Sequence, residues 1–195
     1  MKLGAFVLGF HGCDREVGES LIAGKSDFRA SQNEHDWLGG GIYFWENNPE
    51  RAWDWARFMS KDSRFKKRVK EPFAVGAVID LGNCLDLTEA TSLRLLKLAH
   101  DNLVEIFTKA DAELPKNRKG HDSDSDLVQR FLDCAVVNHL HRLRKEDKSD
   151  PFTTVRGAFT EGKELYPGAG IQAKTHIQLC VRESSAIRGI FRIRE

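Results

Sequence analysis

Three short stretches of this chain carry residue types that could do chemistry. The first is Gly9-Phe10-His11-Gly12-Cys13-Asp14-Arg15-Glu16-Val17-Gly18-Glu19, which follows the apolar run Leu3-Gly4-Ala5-Phe6-Val7-Leu8. A core strand needs neither an imidazole nor a burst of charge at its end. A ligand site at a strand's edge uses both, because imidazole donates or accepts and glycine brings backbone close to a ligand. The second is Trp37-Leu38-Gly39-Gly40-Gly41-Ile42-Tyr43-Phe44-Trp45. Its glycines permit positive φ and close backbone approach, and its aromatics offer flat surfaces for stacking. It lacks the lysine of a phosphate-binding P-loop and the spacing of a dinucleotide fold, and Tyr43 taken alone suits a core as well as a ligand platform. The third is Thr175-His176-Ile177-Gln178-Leu179-Cys180-Val181. As a strand it places His176 and Gln178 on one face, with Ile177, Leu179 and Val181 turned to the core. Two polar side chains pointing together from a buried strand need partners, either in a neighbouring loop or in a site.

In that order, a His-Gly, a Gly-Ile-Tyr-Phe and a polar residue on a late strand, the sequence resembles the diphtheria-toxin-like and poly-ADP-ribose-polymerase-like ADP-ribosyltransferases. The resemblance covers Phe6–Ala56 and Thr175–Phe191 and leaves the middle of the chain without a counterpart. It implies that His11 bonds a ribose hydroxyl of NAD and that Gly12 presents its N–H and C=O to the nicotinamide carboxamide. It implies that Tyr43 stacks on the nicotinamide ring, with a second aromatic, Trp53 or Trp55 and by preference Trp55, closing the other side. The strand would stop at His11-Gly12 as the floor of this pocket. The segment from Asp14 to Asn33 would form a lid over the NAD phosphates, with Arg29 as their charge partner. The sequence departs from the family at the third motif, where Gln178 stands in place of the Glu of polymerising members. A carboxamide can hold a ribose hydroxyl but cannot stabilise positive charge as a carboxylate does, which favours single ADP-ribose transfer over chain building. His176 falls where related transferases place an acceptor-selecting residue, and Glu161, in Phe159-Thr160-Glu161-Gly162, could supply the missing carboxylate from a loop.

The activity implied is that of an NAD-dependent mono-ADP-ribosyltransferase with His11, Tyr43 and Gln178 as its catalytic set. NAD is the co-substrate, no metal is required, and the acceptor is a protein or a nucleic acid. A bacterial toxin or phage-defence effector, with a neutralising antitoxin as partner, fits such an activity. Rival readings are an NAD glycohydrolase or an RNA 2′-phosphotransferase on the same fold, the latter without its arginines in matching positions here. Two more are a catalytically dead NAD- or ADP-ribose-binding module and a cysteine hydrolase using Cys13, which lies outside any recognisable nucleophile context.

The elements that must position these residues follow from composition and periodicity. A chain of 195 residues with 41% hydrophobic content is expected to form one domain spanning 1–195. Its 30 Lys+Arg against 29 Asp+Glu leave a net charge of +1, so no global field draws it to nucleic acid or membrane. The local basic run Arg64-Phe65-Lys66-Lys67-Arg68-Val69-Lys70 is either a solvated surface or a phosphate contact. Cys13, Cys84, Cys134 and Cys180 are scattered without a CxxC pair, as in a reduced cytoplasmic protein. No run approaches the roughly 18–20 apolar residues of a membrane span, and no targeting segment is read at the N-terminus. Strands are expected at Leu3–Phe10, Phe73–Leu81, Val155–Phe159, Ile177–Arg182 and Ile187–Ile193. Helices are expected at Pro49–Phe58 capped by Asn48, at Thr88–Ala110 capped by Thr88, and at Asp126–His141. Pro115–Ser125 and Lys145–Asp150 read as polar connections. The expected fold is α+β, a single domain with helices around a sheet and terminal strands paired at its centre, and the resemblance implies that this sheet is a split antiparallel one of ADP-ribosyltransferase type.

Overall fold

The computed structural model of the protein describes residues 5–62, 69–120 and 126–194. The basic run falls mostly on residues 63–68, outside the described residues, as does the end of the Pro115–Ser125 connection. The chain runs β1 (Phe6–Asp14), α1 (Arg15–Ile22), β2 (Ile42–Glu46), α2 (Pro49–Lys61), β3 (Pro72–Asp80), β4 (Cys84–Asp86), α3 (Ala90–Lys109), α4 (Phe131–Glu146), β5 (Thr154–Phe159), β6 (His176–Val181) and, after a short 3-10 turn at Ser184–Ala186, β7 (Ile187–Arg192). The strands form one 7-stranded sheet in the order β4-β5-β6-β2-β1-β3-β7. Its pairings are antiparallel except β4 with β5. Mixed helices and sheet make the fold α+β, as expected.

Both faces of this sheet are covered. One face packs under α2, α3 and α4, with Phe10, Trp45, Val155, Phe159 and Cys180 meeting Ala52, Ala99, Leu103, Val137 and Leu140. The other packs under α1 and the segment carrying Phe28, through Phe44, Val75, Leu179 and Leu21. That double covering explains why β3 reads Phe73-Ala74-Val75-Gly76-Ala77-Val78-Ile79 without alternation. It leaves neither side of β6 open, since Cys180, on the side of His176 and Gln178, is fully buried under α4, and Leu179 and Val181 are fully buried on the other side.

Four boundaries differ from expectation for local reasons. β1 does not stop at His11-Gly12 but continues through Asp14, pairing with β3 along its whole length from Phe6↔Asp80 to Asp14↔Pro72. The charge that follows starts a helix rather than a lid: the Asp14 carboxylate accepts the N–H groups of Glu16, Lys70 and Glu71, an N-cap for α1 that also pins the entry to β3. The terminal strands do not pair with each other, since β1 lies inside the sheet and β7 at its edge, with β3 between them. α4 begins at Phe131, not Asp126, because Asn117 from the preceding connection accepts the N–H groups of Leu132 and Asp133. The expected cap at α2 holds, with Asn48 accepting the Arg51 N–H and Pro49 opening the helix. At α3 the cap position is Glu89, and Thr88 bonds Asp86 instead.

The junction of β1 and β2 divides the sheet. These strands are joined by the pairs Gly9↔Glu46 and Phe10↔Trp45, and among the described residues no later pair continues the ladder. Continuing that register would place His11 opposite Phe44 and Gly12 opposite Tyr43. Instead the two strands part at His11.

Candidate functional site

At the parting, the His11 imidazole bridges the strands: Nδ1 lies 2.8 Å from the Tyr43 carbonyl oxygen. A carbonyl only accepts, so Nδ1 carries the proton and Nε2 the lone pair. The ring stands between Phe28 at 5.3 Å and Phe44 at 5.7 Å, centroid to centroid. Burial pulls its pKa below the ordinary imidazole range against the opposing effect of the Tyr43 carbonyl, so it is neutral. On the same face a cavity of about 340 Å³ is lined by Leu21, Asp27, Phe28, Ile42, Ile187 and Arg188 among others.

Tyr43 points the other way. Strand alternation puts it beside Cys180 on the face under α4, where its half-buried ring packs against the cluster containing Leu38. Its hydroxyl accepts the Leu38 N–H at 2.8 Å and donates to the Gly39 carbonyl at 2.7 Å, and burial raises its pKa. The glycine run thus serves the protein's own packing as well. A Cβ on Gly41 would meet Cys180 Sγ at 2.4 Å and the Val181 carbonyl oxygen at 2.7 Å. Gly12 has a similar reason, since a Cβ there would lie 2.2 Å from the Ala52 carbonyl oxygen of α2.

The third motif forms a polar patch on the face Tyr43 occupies. Gln178 lies between Trp45 of β2 and Gly157 of β5, and His176 beside Phe159. His176 Nδ1 donates to the Lys174 carbonyl at 2.7 Å and stands 3.6 Å from Glu161 Oε2. That carboxylate is paired with Arg51 Nη2 from α2 at 2.9 Å. Trp37 and Phe159 flank the His176 ring, and the Arg130 guanidinium lies 4.2 Å from the Trp37 ring centroid. Burial lowers the His176 pKa, opposed by the Lys174 carbonyl and Glu161. His176 Nε2, Gln178 Oε1, Arg51 Nε and Trp45 Nε1 are all buried without a hydrogen-bond partner. Leaving a buried polar atom unmatched costs about 1–3 kcal/mol, so their gathering on one patch marks a place for a polar ligand.

The structure therefore brings together Tyr43, Gln178, His176 and Glu161 on one sheet face and sets the His11 ring on the other, joined to Tyr43 through backbone. Trp55 is 40% exposed on α2, with its ring 6.1 Å from Trp45 and 5.5 Å from Phe58, whereas Trp53 packs inward against Phe73. Arg29 is exposed, one residue past Phe28. Cys13 is buried and its thiol is pushed up to about 12 by burial and the neighbouring Asp14, surroundings that oppose the thiolate a cysteine nucleophile needs. Trp37 and Trp45 stood in the aromatic stretch without a role of their own, and Arg51 and Phe159 were not legible as site residues. The only sequence signal for Arg51 was its place in the first turn after the Asn48 cap.

Among the described residues no three His, Cys, Asp or Glu side chains gather as a metal site. No helix among them is long and apolar enough to cross a membrane. No family model matches the sequence, and no solved structure matches the chain. An uncharacterized protein of the archaeon Methanocaldococcus jannaschii is 24% identical over 196 residues, covering 92% of this chain and 83% of the relative.

Proposed function

We propose that the protein is an NAD-dependent mono-ADP-ribosyltransferase, with the nicotinamide half of NAD bound where β1 and β2 part. The observation that carries this reading is the His11 bridge at that parting, with Gly12 beyond it and the Gly41-Ile42-Tyr43-Phe44 strand opposite. The reading is supported by a sheet whose parts β4-β5-β6-β2 and β1-β3-β7 meet over two residue pairs. By alternation along β1, the N–H and C=O of Gly12 point to the β2 side, as those of Leu8 do, whose carbonyl accepts from Asn47. There they can take a carboxamide. The neutral His11 offers Nε2 to a ribose hydroxyl. The cavity beside Phe28 has room for a non-reacting part of the dinucleotide.

In the reaction, an acceptor X–H attacks the ribose carbon, the bond to nicotinamide breaks with its electron pair, and neutral nicotinamide leaves. Charge develops on the ribose, so fixed dipoles aimed at it lower the barrier. Gln178 can supply such a dipole from β6.

The test is incubation with NAD labelled in its ADP-ribose half and a cell lysate, followed by mass spectrometry for nicotinamide and by protease or nuclease digestion of labelled product. Transferase activity gives nicotinamide together with label on one macromolecule class. Nicotinamide without transferred label would make the protein a glycohydrolase, binding without release a binding module, and absence of binding would end the reading.

A further inference from the structure

Resting on that reading, we infer that Glu161 is the carboxylate of the reaction: it faces the ribose in place of the missing Glu at position 178 and takes the proton of the attacking acceptor. Glu161 is the carboxylate beside the polar patch of β6, held by Arg51 of α2 at 2.9 Å with His176 Nδ1 3.6 Å away. Its side chain is 17% exposed, so it lies at the mouth of the patch, whereas His176, with 0% side-chain exposure, is sealed behind it. Its partners Arg51 and His176 each carry a buried atom without a hydrogen-bond partner, Arg51 Nε and His176 Nε2, and Gln178 Oε1 on the same face of β6 is a third, so both donors and acceptors stand unmatched. A hydroxyl-bearing ligand, which donates and accepts at one atom, matches that mixture.

Gln178 and Glu161 then divide one task. The carboxamide on β6 bonds the ribose without charge, and the carboxylate after β5 brings the charge. As X–H attacks, the X–C bond forms, the proton passes to Glu161, and the pair from the broken C–N bond neutralises the nicotinamide ring. No oxidant or metal enters this balance. Arg51 holds the carboxylate in place through a charge-assisted pair at 2.9 Å. Glu161, in the loop after β5, thus supplies a charge that the late strand does not carry.

A charge-swap experiment tests this on the full chain, reading nicotinamide release at saturating NAD alongside thermal melting. Glu161→Gln should lower release roughly 10²-fold, the scale of a lost general base. Adding Gln178→Glu to Glu161→Gln should recover about tenfold or more, because the carboxylate returns to the same patch. Arg51→Met breaks the same ion pair but leaves the carboxylate, so it should keep release about tenfold or more above Glu161→Gln at a comparable melting temperature. Wild-type release by Glu161→Gln, or equal losses in Arg51→Met and Glu161→Gln, would overturn the inference while leaving the transferase reading intact. A wild-type chain that releases no nicotinamide would instead remove the transferase reading, and this inference with it.

Discussion

His11, half-buried, and His176, buried, are both held neutral by desolvation and both bonded through Nδ1 to a main-chain carbonyl, of Tyr43 at 2.8 Å and of Lys174 at 2.7 Å. Their surroundings differ. Around His11 the walls are aromatic, Phe28 and Phe44, and the open polar groups are the imidazole Nε2 and the main-chain groups of Gly12 where β1 and β2 part. Around His176 the walls are aromatic too, yet a carboxylate stands 3.6 Å away and neighbouring buried atoms lack partners. The first region leaves open only the groups where β1 and β2 part, whereas the second leaves several buried polar atoms unmatched until something polar enters. A site divided this way keeps its binding frame rigid and concentrates unmet hydrogen bonding where charge must be handled.

The largest effect should separate the two regions by stability. Tyr43→Ala removes a packed ring and should cost roughly 3–5 kcal/mol, the range for aromatic truncations in cores. Tyr43→Phe keeps the ring but strands the Leu38 N–H and the Gly39 carbonyl, at about 1–3 kcal/mol. Gln178→Ala removes a side chain whose oxygen has no partner, and should cost less than Tyr43→Phe. Urea unfolding of the three variants checks the ranking. If Gln178→Ala proves the most destabilising, its carboxamide is structural and the contrast fails.

How much of this was legible follows the same line. β3, β5, β6 and β7 were readable to within a residue or two, because buried strands bounded by charge or glycine announce themselves locally. α1 was missed because its cap, Asp14, was read as the start of a lid and its partners Lys70 and Glu71 lie far along the chain. β4, a three-residue strand, is too short for any periodic signal, and β2 was seen only as a glycine loop with aromatics behind it. For the site, His11, Gly12, Tyr43 and Gln178 stood out by type and order. Their distribution over two sheet faces did not, since faces are set by pairing registers that no single stretch encodes. Arg51 entered only through its bond to Glu161, 110 positions away.

An intermediate effect concerns acid. A histidine whose native pKa lies below the unfolded value, here from 6.5 downward, is protonated first in the unfolded chain. The native state therefore loses stability as pH falls below about 6.5, by up to ~1.4 kcal/mol per pH unit for each such group, until its native pKa is reached. His141, lowered to about 3 by burial and by Arg182 and Arg144, adds to the same slope. The two site histidines should contribute unequally. Glu161 supports a charged His176, opposed by Arg51, whereas no carboxylate opposes the burial of His11. Unfolding at pH 7, 6 and 5 should show His11→Gln flattening the acid slope more than His176→Gln does. Equal flattening would mean that Glu161 does not act on His176.

The smallest effect distinguishes two adjacent residues on the His11 side. Phe28 lays its ring against His11 and Phe44, at 5.3 and 5.1 Å, so it anchors the segment between α1 and β2 to the sheet. Arg29, next along the chain, is exposed. Truncating an exposed side chain away from packed features changes stability by no more than about 0.5 kcal/mol. A surface charge that meets a phosphate contributes up to about 1 kcal/mol at low salt and fades as ions screen it. Arg29→Ala should therefore melt like the wild type, weaken NAD binding about fivefold in dilute buffer by calorimetry, and bind like the wild type near 1 M salt, where the screening length falls to roughly 3 Å. Phe28→Ala should instead lower the melting temperature and weaken NAD at every ionic strength, because its ring contributes packing rather than charge. If Arg29→Ala binds NAD as the wild type does in dilute buffer, the phosphates do not pass over this segment, and the frame around His11 holds the dinucleotide through Gly12 and the cavity beside Phe28 alone.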